Sequence, residues 1–532
     1  METLNTDNLH HLSYSHGILE IAVLGGIRLE GLDRMRVTLK ICVEHLTVRH
    51  NLDLYNDTQV EKLVRKTAGK LEVGTSVIAA ALEELTTELE QYRLKQIEAQ
   101  EQQIAIKQLT ESERKSATDF LETPNLLERT GELIGKSGVI GEETNRLLMY
   151  LIFTSRKMSS PLHVVSLGAS GTGKTHLQEK VAELIPDEDK IEVTTLSENA
   201  FYYFERNALA HKLVLIEDLD GVDSVLYPLR ELQSKKRITK TISHKNKNGE
   251  TATKHLVVEG PVSVAGCTTK ERIYEDNANR SFLVYLDESE EQDEQIMNYQ
   301  RMRSAGAVNT QEEFRAKELL CNCQRLLQPV KVVNPYAQQL VLPPTVFKPR
   351  RTNTHYLQFI EAVTFYHQAQ RAKQYDKQTG EEYIETTIED IENANRLLKD
   401  ILLRKSDDLS GACRNYFEKL KMHLKNQPDS GFTNREMSLQ LRIPITTIKR
   451  HHLELYNFGY LKITRKDKLK GYEYQIVSYE EYKQLQQGIS EVLENSLNQL
   501  SACDQPISPP VAQLQNEPPK SLKNKKKSDT AH

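Results

Sequence analysis

Six cysteines in 532 residues, of which only Cys321 and Cys323 stand close together, form neither a disulfide framework nor the paired spacing of a structural zinc site. A reducing compartment is the expectation. No apolar run approaches the roughly 20 residues needed to cross a bilayer. The N-terminus also lacks a basic segment followed by an apolar core, so neither anchor nor leader is expected and the chain reads as cytoplasmic. Charge of one sign is missing as well: 70 Lys and Arg against 75 Asp and Glu leave a formal −5, which nominates no partner, so charge has to be read locally. There is no internal repeat. His45 and His50 are too isolated to be read as metal ligands and read as ordinary core or surface histidines. The length alone suggests about three or four domains.

What is present is a phosphate-binding loop. Gly168-Ala169-Ser170-Gly171-Thr172-Gly173-Lys174-Thr175 follows the apolar run 162–167 and precedes Leu177, Val181 and Leu184 at helical spacing. The glycines let several amide N–H groups converge on one anion. Lys174 can then reach the β and γ phosphates, while Thr175 can ligate magnesium at the helix N-terminus. ATP and Mg2+ are the expected cofactors.

A second acidic half is expected at Leu213-Val-Leu-Ile-Glu217-Asp218, an apolar strand run ending in two carboxylates. Glu217 is assigned to magnesium and Asp218 to the attacking water, with Asp220 able to share the role. A third strand, 261–267, ends in Thr268-Thr269, and Thr269 is the candidate to sense the γ phosphate or position water. Arg280-Ser-Phe precedes one more strand. This order of phosphate loop, acidic strand end, polar strand end and arginine resembles the AAA+ ATPases. The resemblance implies that Arg280 reaches a neighbouring subunit's site, and so a homo-oligomer such as a hexamer. In these ATPases the acidic pair normally runs Asp then Glu; here it is reversed, which bears on how fast hydrolysis is.

Between these strands, Arg237 to Val258 forms two β-prone arms around Asn248-Gly249, a hairpin-turn signal. The segment carries Lys240, Lys245, Lys247 and Lys254. It resembles the pre-sensor hairpin of MCM-like helicases, which implies backbone contact with DNA. The helical stretch beyond Ser304 resembles the MCM lid, and Arg351 is the arginine this resemblance brings to the nucleotide. Near the C-terminus, Thr433-Asn-Arg-Glu436 is a capping box. A second helix follows from about Thr446 to Phe458, with Lys449, Arg450, His451 and His452 beside the core-facing Ile448 and Leu455. Two strands then bracket a loop bearing Lys466 and Lys468. The pattern is that of a winged helix-turn-helix, with Lys449, Arg450, Lys466 and Lys468 as DNA candidates.

The expected organisation is an α/β AAA+ core with a P-loop parallel sheet, a helical lid, a C-terminal winged helix-turn-helix and an N-terminal α+β and helical region. Its boundaries are 1–57 (small α+β), 58–120 (helical arm), 121–295 (ATPase core), 296–405 (lid), 406–484 (winged helix) and 485–532 (disordered basic tail). Phrases such as Tyr14-Ser-His-Gly-Ile-Leu-Glu, Arg49-His-Asn-Leu-Asp-Leu-Tyr, Leu133-Ile-Gly-Lys-Ser-Gly and Asn279-Arg-Ser-Phe-Leu-Val resemble the C-terminal half of primase-helicase-like proteins of bacterial mobile elements. That resemblance implies an ATP-dependent helicase or translocase on single-stranded or forked DNA. The zinc-finger and toprim half is not evident, so a separate primase is the implied partner. Two rivals stand beside this: a non-translocating helicase loader or assembly ATPase, and an ATP-binding regulator of transcription or defence.

Overall fold

Alternating apolar residues build the N-terminal part. In this computed structural model β1 (His11–His16), β2 (Leu19–Leu24), β3 (Arg36–Val43) and β4 (Leu46–Asp53) pair in sequence order as an antiparallel meander. Leu19, Ile21, Val23, Val37, Leu39 and Ile41 point to one face and are buried. A single-sided sheet needs a cover, and α1 (Asp57–Leu71) and α2 (Thr75–Gln103) supply it. The stripe Leu82, Leu85 and Leu89, expected on a free arm, is sealed against the strands in one apolar cluster, and Tyr14 donates to Glu84 Oε2 at 2.7 Å. Residues 1–108 therefore form one unit and 109–532 a second. The structure describes residues 4–6, 11–28, 34–103, 107–168, 170–194, 199–221, 226–245, 251–269, 280–426, 430–467 and 471–502.

The second unit opens with α3 (Glu111–Leu121), started by a Thr110–Glu113 capping box, then α4 (Leu126–Lys136) and α5 (Glu143–Thr154). α5 is apolar on every side, and Leu147 through Phe153 are no more than 5 % exposed. Next come β5 (His163–Leu167), α6 (Lys174–Ala182), β6 (Lys190–Val193), β7 (Lys212–Ile216) and α7 (Leu226–Lys235). A hairpin of β8 (Arg237–Lys245) and β9 (Thr251–Glu259) leads into β10 (Val262–Thr268) and β11 (Phe282–Tyr285). The main sheet runs β11-β5-β10-β7-β6, parallel throughout. Its central strands β5, β10 and β7 are short, largely apolar runs, as burial on both faces requires, whereas the edge strand β6 reads Lys-Ile-Glu-Val and is half-exposed. β10 lies between β5 and β7, so three strand ends that are far apart in sequence stand side by side. Gly266 makes room there: a Cβ would come within 2.8 Å of Leu219, the residue that packs under the turn after β7.

Beyond the sheet are α8 (Glu290–Ser304), α9 (Thr310–Leu326), β12 (Lys331–Val333), α10 (Pro349–Tyr366), β13 (Gln374–Tyr375), β14 (Glu382–Glu385) and α11 (Ile388–Lys405), with a small sheet β12-β14-β13. α10 starts on Pro349 and α11 on a Thr387–Asp390 capping box. The last stretch holds α12 (Gly411–His423), β15 (Phe432–Thr433), α13 (Asn434–Gln440), α14 (Ile445–Asn457), β16 (Leu461–Asp467), β17 (Gly471–Ile476) and α15 (Glu481–Ala502), with sheet order β15-β17-β16. The capping box at Thr433 and Glu436 closes as expected. α15 departs from the expectation of a disordered tail from 485. Ile489, Leu493 and Leu500 recur at helical spacing and bury into the same cluster as α5 and α11.

Arg414 fastens this end together. It is 1 % exposed, grips Asp407 through two hydrogen bonds of 2.6 and 2.7 Å, and donates to Glu481 at 3.0 Å. Arg414→Ala leaves Asp407 buried without its cation, so a loss of about 3–5 kcal/mol is expected in urea unfolding. A loss below about 1 kcal/mol, the range of an exposed pair, would show that the contact is dispensable.

Candidate nucleotide site

The loop after β5 turns through positive φ at Gly168 (154°), Gly171 (87°) and Gly173 (88°) before α6 begins at Lys174. At Gly171 nothing lies within 4 Å of an added Cβ, so the glycine is there for its backbone angle and not for space. Ser170 is exposed and Thr172 and Thr175 are half-buried; Ala169 lies outside the described residues. Lys174 is 7 % exposed, and its Nζ donates to the Gly168 carbonyl at 2.9 Å. The cation thus lies folded against its own loop.

Glu217 and Asp218 follow the end of β7, two strands from the loop, with the end of β10 between them. Glu217 Oε1 accepts from Thr194 Oγ1 at 3.0 Å. Asp218 Oδ1 accepts the Asp220 N–H at 2.8 Å, forming a tight turn. The Asp220 carboxylate accepts hydrogen bonds from the Thr268 hydroxyl and from Thr269, whose N–H lies at 3.0 Å and Oγ1 at 2.6 Å. Thr269, read as a phosphate sensor, is therefore tied to Asp220, which joins the ends of β7 and β10. Cys267 sits behind this junction, pushed up to about 11 by burial, and stays a thiol. Thr175 and Glu217 offer hard oxygen donors, a set that fits magnesium.

The two arginines go elsewhere. Arg280 Nε donates to Ser234 Oγ at 2.7 Å, and Arg280 and Arg351 line one cavity of about 490 Å³ together with His163, His355 and Lys236. His163 begins β5 and Gly168 follows its end, about 16 Å away at the rise of a parallel strand. Arg351 therefore stands with Arg280 and away from this chain's phosphate loop.

Burial holds both His163 and His355 down to about 3, and neither Nδ1 has a hydrogen-bond partner. In the unfolded chain both would titrate near 6.5, so between those values unfolding takes up protons that the fold excludes. Stability is therefore full above about pH 6.5 and falls on acidification, by about 2 kcal/mol per histidine at pH 5. Urea midpoints at the two pH values check this; equal midpoints would contradict it.

The DNA candidates also divide. Lys240 Nζ donates to Asn199 Oδ1 and lies 5.3 Å over the Tyr202 ring, so it anchors the base of the hairpin. Lys245 pairs in register with Thr251, and Lys254 with Ile242; Lys247 and Lys468 lie outside the described residues. Lys466 is exposed, 5.5 Å over the Tyr472 ring. Lys449 and Arg450 are both exposed on α14, whereas His451 and His452 turn inward at 4 % and 0 % exposure. His452 Nε2 lies 2.5 Å from the Tyr416 hydroxyl and Nδ1 lies 2.6 Å from Asn434 Oδ1. The buried stripe of α14 is thus Ile448, His451, His452 and Leu455, wider than its apolar residues suggest.

Lys419, which the sequence reading passed over, lines the cavity beside Gly168. No local signal marks it, because what matters is how the C-terminal helices pack on the sheet. His163 and His355 escaped for the same reason.

No curated protein matches the chain. Among solved structures, a full-length MCM homolog from Methanopyrus kandleri is 12% identical, covering 76% of this chain and 76% of that one, with a TM-score of 0.37. SCCmec type IV Cch, described as an active helicase, is 9% identical over 92% of this chain and 99% of its own, with a TM-score of 0.26. The C-terminal region of NrS-1 in its A form apo structure is 13% identical over 67% and 76%, with a TM-score of 0.19. None of these three likenesses carries an argument about activity. The match over sequence is firmer: residues 109–328 fit the MTBMA_p00010 P-loop domain family, and the α/β sheet and loop described above lie in that stretch, so this stretch of the chain is similar to a P-loop domain.

Proposed function

We propose that the chain is an oligomeric AAA+ ATPase that hydrolyses ATP with Mg2+ to move along or open single-stranded or forked DNA. The observation that carries this is the sheet order, which sets Lys174 and Thr175, Glu217 and Asp218, and Thr269 along one edge, while Arg280 and Arg351 stand at the other. In this reading Lys174 and Thr175 hold phosphates and metal, Glu217 supports the metal, Asp218 orients water, and Asp220 fixes Thr269. Arg280 and Arg351 act on a neighbouring copy's nucleotide. Residues 296–405 act as lid. Residues 406–484 act as a winged helix-turn-helix, with Lys449 and Lys466 toward DNA, and the hairpin lysines Lys245, Lys247 and Lys254 serve contact with the DNA backbone. Action in replication of a mobile element, in the cytoplasm beside a separate primase, belongs to the same proposal and rests on the sequence resemblance. Among the described residues no helix is long and apolar enough to cross a membrane.

The test is ATP turnover with and without forked DNA, run beside strand displacement, with Lys174→Ala as the blank. Turnover stimulated several-fold by DNA, together with displacement, is expected. DNA-stimulated turnover without displacement would favour a non-translocating switch. One observation already leans that way: the Asp218 side chain is drawn into its own turn with Asp220.

A further inference from the structure

The phosphate loop opens onto a cavity of about 660 Å³, and only part of its wall is sheet. Gly168, Thr269 and Glu288 line one side, while Lys419 of α12 and Thr447 and Arg450 of α14 line the other. Thr447 and Arg450 are three residues apart, so one face of α14 fronts the loop.

The packing that brings α12 and α14 there is close and fastened at both ends. Gly411, the first residue of α12, has so little clearance that a Cβ would stand 2.2 Å from the Tyr285 ring on β11. Arg404 stacks 5.0 Å from the same ring and donates to Asn415 of α12 at 2.8 Å. On the far side, α15 returns to bury Ile489 and Leu493 in the main core. The wall is thus built into the fold.

Charge says what it faces. A nucleoside triphosphate needs several cations, and the sheet side of this cavity offers the carboxylate Glu288, with Lys174 in the loop as its cation. Arg280 and Arg351 stand at the opposite end of β5. Within one chain, the cations lining the cavity at the loop are Lys419 and Arg450, while its second carboxylate, Glu454 of α14, accepts from the Ser410 N–H at 3.1 Å and hydroxyl at 2.8 Å through Oε1. We infer that Arg450 and Lys419 contact the bound nucleotide's phosphate chain within the same subunit, making α12 and α14 the outer wall of the site. The inference deepens the proposed ATPase reading and rests on it. It also separates Arg450 from Lys449, so that adjacent residues of α14 serve different ligands.

The test is titration of the full chain with a fluorescent ATP analogue in magnesium, comparing Arg450→Ala, Lys419→Ala and the double variant with Lys174→Ala and with Lys425→Ala, an exposed lysine outside this wall. Each single variant is expected to weaken binding about tenfold and the double about a hundredfold, with Lys425→Ala unchanged. Gly411→Ala, which wedges the wall away from Tyr285, should weaken binding with both cations still in place. If the double variant binds within about twofold of wild type while Lys174→Ala does not bind, the inference falls and the ATPase reading stands. If Arg450→Ala instead loses DNA affinity with nucleotide affinity intact, this face of α14 belongs to DNA and the inference falls. If the wild-type chain binds no nucleotide, both fall.

Discussion

Lys174→Ala should reduce ATP turnover at least about a hundredfold and weaken nucleotide binding with it. In the loop the ammonium is buried and hydrogen-bonded to the Gly168 carbonyl. That contact keeps a buried cation satisfied. When phosphate arrives, the lysine exchanges a neutral acceptor for a charged one, and charge-assisted bonds are about twice as strong. Alanine removes this gain together with the electrostatic stabilisation of charge on the transferring group. Folding should change little, because the loop's shape is set by glycines at 171 and 173 and by α6 packing through Leu177 and Val181. A variant that turns over ATP within about threefold of wild type would mean that this loop is not the site of hydrolysis.

Arg280→Ala should cost about a thousandfold in turnover while leaving nucleotide affinity nearly intact. Its guanidinium is hydrogen-bonded to Ser234 at the end of β5 away from the phosphate loop, so it cannot take part in its own chain's chemistry without dismantling the sheet. Its effect must therefore appear in mixtures. Combining Arg280→Ala with Lys174→Ala creates interfaces in which an intact loop meets an intact arginine, about one in four on random mixing, and turnover should reappear. Two inactive proteins that stay inactive when combined would remove Arg280 from the site.

How much of this was open to reading differed from element to element, for physical reasons. The phosphate loop is legible because its chemistry is local: glycines at fixed intervals, then Lys174 and Thr175, between an apolar run and a helical period. The central parallel strands are legible because burial on both faces leaves little polar alternation to confuse them, whereas the edge strand Lys190–Val193 alternates charged and apolar residues and went unread, and Thr433 with Glu436 marks a helix start by itself. α15 was hidden because its stripe of Ile489, Leu493 and Leu500 is diluted by Gln, Asn and Ser, which as composition look like disorder. The stripe of α2 was visible, but a stripe does not name the sheet that covers it. His451 and His452 sit in a basic-looking run, yet Tyr416 and Asn434 give them partners that draw them inward. Arg351 could be matched to a role but not to an end of the sheet, because that depends on where α10 packs.

The separation of the loop and the arginine cavity along β5 has a further consequence. If Arg280 serves a neighbouring copy as proposed, contact between copies would be head-to-tail, and one copy meeting one other would leave a half-site unused at each end of the pair. Turnover per chain would therefore climb with protein concentration instead of staying constant. Nothing in such a joint halts growth by itself: the rotation from one copy to the next decides whether the assembly closes on itself or runs on as a spiral, and only closure gives every loop its arginine.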